Sequence, residues 1–324
     1  MGTSGQVQST DREASVSLPD GVRLRTVERT VGTGDPTLTV VLLHGWTLDA
    51  RLWQRQMADL PERLRALRVP ARIIAFDMRG HGLSTASPRN RATLAQLADD
   101  LGAVLRQRAP TGRVVLAGHS MGGMAITEYA HRHPGEFAER VAGVVFVATS
   151  AEGSRHTTYG LSPRLARVVR MIEETGAGVL ARSGPWRPHR LVMPALGPGL
   201  RWLVFGERAE VEALQLTTAM VGSARLCTIG GFRPSVGSHH RIDALAAMRR
   251  LPVAVLVGAQ DRLTPRLCAE NIAAAIPGAE HIVFEGCGHM LPLECPDEVT
   301  DAIAKVCRQA MSLRRRLRVP RLRR

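Results

Sequence analysis

A chain of 324 residues with 44% hydrophobic side chains can build one domain carrying an insertion, or two small domains, around a substantial core. No stretch is long and apolar enough to span a membrane, and the polar N-terminus, Met1 to Pro19, lacks the apolar core of a secretory leader, so a cytoplasmic setting is expected. The formal net charge is +14 and Lys305 is the sole lysine, so the excess is almost all arginine. Arginines 314, 315, 316, 318, 321, 323 and 324 crowd into Ser312–Arg324 with no acid among them. Such a block is either a solvated tail or a peripheral contact with anionic membrane. Any contact with nucleic acid would be unspecific, and no specific nucleic-acid partner is expected. The five cysteines (227, 268, 287, 295 and 307) are odd in number, with no paired or metal-ligand spacing, which argues against a disulfide framework.

Strand-like and helix-like stretches alternate along the chain. Strands are expected near Ala14–Leu18, Leu24–Glu28, Thr39–Leu43, Arg72–Phe76, Val114–Ala117, Val141–Val147, Val253–Val257 and Ala279–Phe284. Helices are expected near Ala50–Leu67, Thr93–Arg108, Gly123–His133, Asp243–Arg250, Arg266–Ala275 and Asp297–Met311. This rhythm predicts an α/β protein with a mostly parallel sheet of about eight strands and helices on both faces. Residues 151 to about 240 interrupt it with helix-like segments at Leu161–Glu174, Leu191–Phe205 and Glu207–Val221. The organisation reads as a flexible segment over 1–20, a core formed by 21–150 and 241–311, an insertion over 151–240 and a basic tail over 312–324.

The most informative motif is Gly118-His119-Ser120-Met121-Gly122, a G-x-S-x-G pentapeptide between the apolar strand Arg113–Ala117 and a helix. In a strand–turn–helix setting, such a sequence raises its serine on a strained turn at the C-terminal edge of a parallel sheet. A serine hydroxyl is a poor nucleophile until a base takes its proton, and the base must be oriented by a third group. Asp261 follows the strand ending at Val257, within Gly258-Ala259-Gln260-Asp261-Arg262-Leu263-Thr264-Pro265. His289 follows the last strand, within Glu285-Gly286-Cys287-Gly288-His289. Serine, acid and histidine thus occur in the order an elbow enzyme uses. Glu152, after the preceding strand, is the competing acid.

With Leu43-His44-Gly45-Trp46 after an early strand and Asp77-Met78-Arg79-Gly80-His81-Gly82-Leu83-Ser84 after the next, these motifs make residues 20–310 resemble the α/β-hydrolase superfamily. The resemblance implies the α/β-hydrolase fold with a helical cap or lid over 151–240. It implies Ser120 as nucleophile, His289 as base and Asp261 as the orienting acid. It places the oxyanion hole at the backbone N–H groups of Trp46 and Met121. Asp77 takes the role of structural carboxylate in its loop, and His44, His81 and His119 read as structural. The apolar segments Leu191–Leu196 and Trp202–Phe205 would suit a hydrophobic roof or would fasten the cap to the core.

The chemistry needs no metal or cofactor. Relatives that open epoxides or remove halides carry aspartate at the elbow, so Ser120 favours acyl chemistry. The expected activity is hydrolysis of lipophilic small to medium carboxylic esters or monoacylglycerols through an acyl-enzyme. Thioesterase or acyltransferase chemistry, C–C hydrolysis and a cofactor-free haloperoxidase-type reaction use the same three residues. A non-catalytic ligand-binding protein is the reading from another class, against which an intact Ser120/Asp261/His289 set speaks.

Overall fold

In a computed structural model, which describes residues 11–88, 90–187 and 193–318, eight strands form one sheet. They are β1 (Arg12–Ser17), β2 (Arg23–Val31), β3 (Leu38–Leu43), β4 (Ala71–Phe76), β5 (Arg113–His119), β6 (Val141–Val147), β7 (Val253–Gly258) and β8 (Glu280–Phe284). Their order across the sheet is β1-β2-β4-β3-β5-β6-β7-β8. The β1/β2 and β2/β4 pairs are antiparallel, and every pair from β4/β3 to β7/β8 is parallel. All eight expected strands are present. The segment expected to be flexible up to residue 20 instead supplies β1, because Val16 sits opposite Leu24 and both are buried. Residues 1–10 of that segment lie outside the described residues.

Central strands such as β3 (LTVVLL) and β6 (VAGVVFV) are buried along their whole length, as strands covered on both faces must be. Alternate side chains enter different cores. Val41, Leu43, Val114, Leu116 and Phe146 meet α2 (Leu94–Arg108), α3 (Met121–Arg132) and α4 (Pro134–Arg140). Val40, Leu42, Val115, Ala117 and Val145 meet α1 (Gln54–Ala66) and a long C-terminal helix over residues 296–318 on the other face. Thr93 caps α2 by accepting from Gln96 N at 3.1 Å, and Arg106 and Arg108 close its last turn, where positive charge suits the helix dipole.

Between β6 and β7 run α5 (Pro163–Arg182), α6 (Met193–Val204), α7 (Val211–Ser223) and α8 (Leu226–Gly237). The last of these was not among the expected helices; its sequence (LCTIGGFRPSVG) carries glycines and a proline, which disfavour a helix. Its helical course is settled by packing on α5, where Gly230 lies so close to the Ala177–Ala181 backbone that a Cβ would collide with it. The helix expected at Asp243–Arg250 is a 3-10 segment, Asp243–Met248. Two helices follow β7 and β8: α9 (Arg266–Ala275) and the one-turn α10 (Leu291–Glu294). The final helix, α11 (Pro296–Arg318), runs past the expected end at Met311 and into the arginine block. Residues 319–324 of that block, and Leu191 and Val192 of the expected roof, lie outside the described residues. Among the described residues, no helix is long and apolar enough to cross a membrane.

Candidate active site

The loops after β3, β4, β5, β7 and β8 all leave the C-terminal edge of the parallel strands, where sheets of this kind bind ligands. Ser120 occupies the turn between β5 and α3 with φ 51° and ψ −118°, a strained conformation for a residue with a side chain. Its surroundings fix that turn. Its N–H donates to Val147 O at 3.0 Å, and its carbonyl accepts from Thr149 Oγ1 at 2.6 Å. The neighbouring glycines permit the close approach: a Cβ on Gly118 would stand 2.6 Å from Gly122 C, and one on Gly122 would collide with the Leu43 carbonyl. The helix begins at Met121, two residues earlier than the sequence suggests. Met121 N–H therefore has no intrahelical partner and lies at the positive end of the α3 dipole.

His289 and Asp261 meet across two loops. His289 Nδ1 and Asp261 Oδ2 are 2.8 Å apart, and both residues are buried. Asp261 is itself held. Oδ1 accepts from Leu263 N at 2.8 Å and Thr264 N at 2.9 Å, and Oδ2 accepts from Thr264 Oγ1 at 2.8 Å. Burial pushes the Asp261 carboxyl upward, but the His289 imidazole and these donors outweigh it and hold it below the ordinary aspartate value. It is therefore ionised, and its lone pairs fix His289 with the proton on Nδ1 and a free pair on Nε2. Ser120 Oγ makes no hydrogen bond to His289 among the described residues; in unliganded sites this contact is often long. Glu152, the competing acid, pairs with His156 at 3.0 Å and Asn271 at 2.7 Å and is not engaged with His289.

Trp46 is brought beside Ser120 by its neighbours. A Cβ on Gly45 would stand 3.2 Å from Ser120 Cβ, so only glycine lets this backbone approach. His44 Nδ1 bonds Gly45 O at 2.8 Å while its Nε2 accepts from Met78 N at 2.9 Å. His81 Nε2 accepts from Thr47 N at 3.3 Å. Asp77 accepts from Ala50 N at 2.8 Å and Leu83 N at 2.9 Å. The two early loops are thus clamped together by His44, His81 and Asp77, in the structural roles the sequence suggested.

Ser120, Met121 and Trp46 line a cavity of about 90 Å³ with Met124, Val236 and Leu263. Its other wall is polar and comes from the inserted segment: Tyr159, Glu173 and Arg233. Sequence reasoning missed this wall, since single polar residues scattered along the insertion carry no local signal that they converge. The expected apolar roof at Trp202–Phe205 is not part of the cavity lining. Val204 and Phe205 are buried against the core, and Val204 O accepts from His289 N and Met290 N at 2.9 and 3.2 Å. This segment fastens the insertion to the His289 loop.

Two further features of that loop were unforeseen. Glu294 is buried and accepts from Gly206 N at 2.7 Å, Gly288 N at 2.9 Å and Met290 N at 3.0 Å, bracketing His289 on both sides. Cys287 and Cys295, expected as free thiols, bring their sulfurs to bonding distance across the loop, and Cys227, Cys268 and Cys307 remain free. An eight-residue separation among five cysteines does not announce that pair in the sequence.

Burial governs the structural histidines. It pushes His81, His119 and His239 down to about 3, helped by neighbouring His44, His289 and Arg241 respectively. Folded, they are neutral at pH 7; unfolded, they take up protons below about 6.5. Their burial is therefore fully favourable above that value, and stability is lost as pH falls from about 6.5 toward 3, by about 1.4 kcal/mol per pH unit for each group. Urea unfolding at pH 7, 6 and 5 should show a falling midpoint, and His239→Gln should shallow the slope. A midpoint independent of pH over that range would mean the imidazoles are charged in the folded protein.

The sheet order, the elbow and the paired histidine and carboxylate define a hydrolase of doubly wound α/β architecture. The chain belongs to the alpha/beta hydrolase family, whose family model matches residues 40–302. It is similar to a pimeloyl-[acyl-carrier protein] methyl ester esterase of Aromatoleum aromaticum, with 29% identity over 83% of this chain and 98% of the relative. A monoacylglycerol lipase of Mycolicibacterium smegmatis is 27% identical over 92% of this chain and 98% of the lipase. Among solved structures, a thermophilic esterase from Thermogutta terrifontis superposes with a TM-score of 0.70 at 26% identity, covering 93% of this chain and 99% of the esterase.

Proposed function

We propose that this enzyme hydrolyses carboxylic esters of short acyl chain through an acyl-enzyme on Ser120. The observation that carries the reading is the 2.8 Å contact of His289 Nδ1 with a buried, ionised Asp261 beside a serine raised on a strained turn. In this mechanism Ser120 Oγ attacks the ester carbonyl while His289 Nε2 takes its proton. The Met121 N–H, at the start of α3, and the Trp46 N–H meet the developing oxyanion; losing one such donor typically costs about 3–4 kcal/mol of transition-state stabilisation. His289 then protonates the departing alkoxide, and a water deprotonated by His289 releases the acid.

The names of the relatives support ester substrates, and the size of the cavity supports short ones. A space of about 90 Å³ beside Ser120 favours a compact acyl group over a long chain. A p-nitrophenyl ester series from acetate to palmitate tests this. The expected optimum lies between acetate and hexanoate. Rates that rise toward palmitate would overturn the short-chain reading in favour of the lipophilic substrates the sequence suggested. Labelling by a fluorophosphonate without any ester turnover would redirect the chemistry to thioesters or C–C bonds, and absence of labelling would end the serine reading.

A further inference from the structure

Three buried nitrogen atoms at the Ser120 cavity have no hydrogen-bond acceptor: Nε1 of Trp46, and Nη1 and Nη2 of Arg233. Both residues line the cavity. Arg233 is carried by α8 and is 3% exposed. Its Nε donates to Glu173 Oε2 at 3.1 Å, and Nη2 stands 3.1 Å from the same oxygen without aiming an N–H at it. Tyr159 donates its hydroxyl to that oxygen at 2.6 Å. Glu173 thus grips one edge of the guanidinium and balances its charge, leaving the other edge unanswered. Nη1 packs against Gly237, where a Cβ would stand 2.5 Å from it.

A buried donor on a charged group is costly when left unpaired. All three unanswered atoms are donors, so the group that satisfies them presents acceptors. Its charge follows from the neighbours. Glu173, with Glu174 4.0 Å from Nη2, already supplies the negative charge that Arg233 needs. A carboxylate ligand would add surplus negative charge to a largely buried site, whereas an uncharged carbonyl oxygen would answer the donors without it.

We propose that Arg233, assisted by the Trp46 indole, is a specificity determinant that recognises an uncharged carbonyl oxygen (ketone, ester or amide) on the substrate, remote from the bond that is cut. The proposal rests on the reading of Ser120 as the nucleophile of an esterase. The orientation of the guanidinium by Glu173 and Tyr159 gives the charged cluster of the inserted segment a role at this cavity.

The test compares kcat/KM for p-nitrophenyl hexanoate, its 4-oxo and 5-oxo derivatives, and the p-nitrophenyl half-ester of adipic acid. Cleavage of the plain hexanoate tests the esterase reading; the ratio of oxo ester to hexanoate tests Arg233. At least one oxo ester should be preferred by about tenfold or more. The ratio should fall to about 1 in Arg233→Met and partway in Trp46→Phe, which keeps the ring and the backbone N–H while losing the indole donor. Each ratio is taken within one protein, so a general loss of activity cancels. No preference in the wild type, or a preference that survives Arg233→Met, would overturn the proposal, and so would a half-ester preferred over both oxo esters. If Arg233→Met does not fold, the wild-type ratios and Trp46→Phe decide. If the wild type cleaves none of these esters, the esterase reading fails and the proposal falls with it.

Discussion

Replacing Ser120 by alanine should lower kcat by about 10⁴- to 10⁶-fold while the protein remains folded. The side-chain oxygen is the proposed attacking atom; the hydroxyl of Thr264, 3.3 Å from His289 Nδ1, is committed as a donor to Asp261 Oδ2 at 2.8 Å. The fold should tolerate the change because the turn is held by backbone and by Thr149: Ser120 N to Val147 O, and Thr149 Oγ1 to Ser120 O. Alanine retains the same Cβ in the same strained conformation, so neither packing nor backbone strain changes. Ester hydrolysis and fluorophosphonate labelling, measured beside a thermal melt, check both halves. Full activity in a folded Ser120→Ala protein would remove Ser120 from the mechanism.

Asp261→Asn should be nearly as damaging, with kcat down by about 10⁴-fold, a magnitude seen when the acid of a serine triad is amidated. The hydrogen bonds of this site say why. Oδ1 accepts from the backbone N–H groups of Leu263 and Thr264, so the asparagine oxygen is pinned in that position. Its NH₂ must then take the place of Oδ2 and point a donor at His289 Nδ1. The imidazole can answer only by moving its proton to Nε2, which leaves no free pair facing Ser120. Binding of ester should change little, because Asp261 does not line the cavity. Steady-state kinetics should therefore show the loss in kcat with KM held to within a few-fold. Unimpaired turnover would send the search for an acid elsewhere, yet Glu152 is committed to His156 and Asn271.

These two residues illustrate what is legible in the sequence alone. The elbow, the acid and the histidine each lie within a few residues of the end of a strand, so local pattern both identifies them and assigns them to one sheet edge. The eight strands were readable for the same reason. Strands such as β3 and β6 are buried on both faces and show as near-continuous apolar runs. What failed locally was helix chemistry. The Gly- and Pro-containing α8 was not among the expected helices, and it stands because it packs on α5. The arginine block read as a tail, yet α11 continues through Arg318.

The sequence by itself determined the fold class, the order of the strands' chemistry and the three residues proposed to react, because each is encoded in short contiguous stretches. Only the tertiary structure decided how those residues are held and what surrounds the substrate. Glu294 reaches Gly206 across 88 positions, and Arg233 reaches Glu173 across 60. The Cys287–Cys295 pair spans only eight. Yet even that pair depends on loop geometry, not on spacing. The physical reason is that a hydrogen bond or a charge pair is a relation between two positions in space. Composition and periodicity report only which way a side chain faces, so the polar wall above Ser120 emerges when the chain has folded around it.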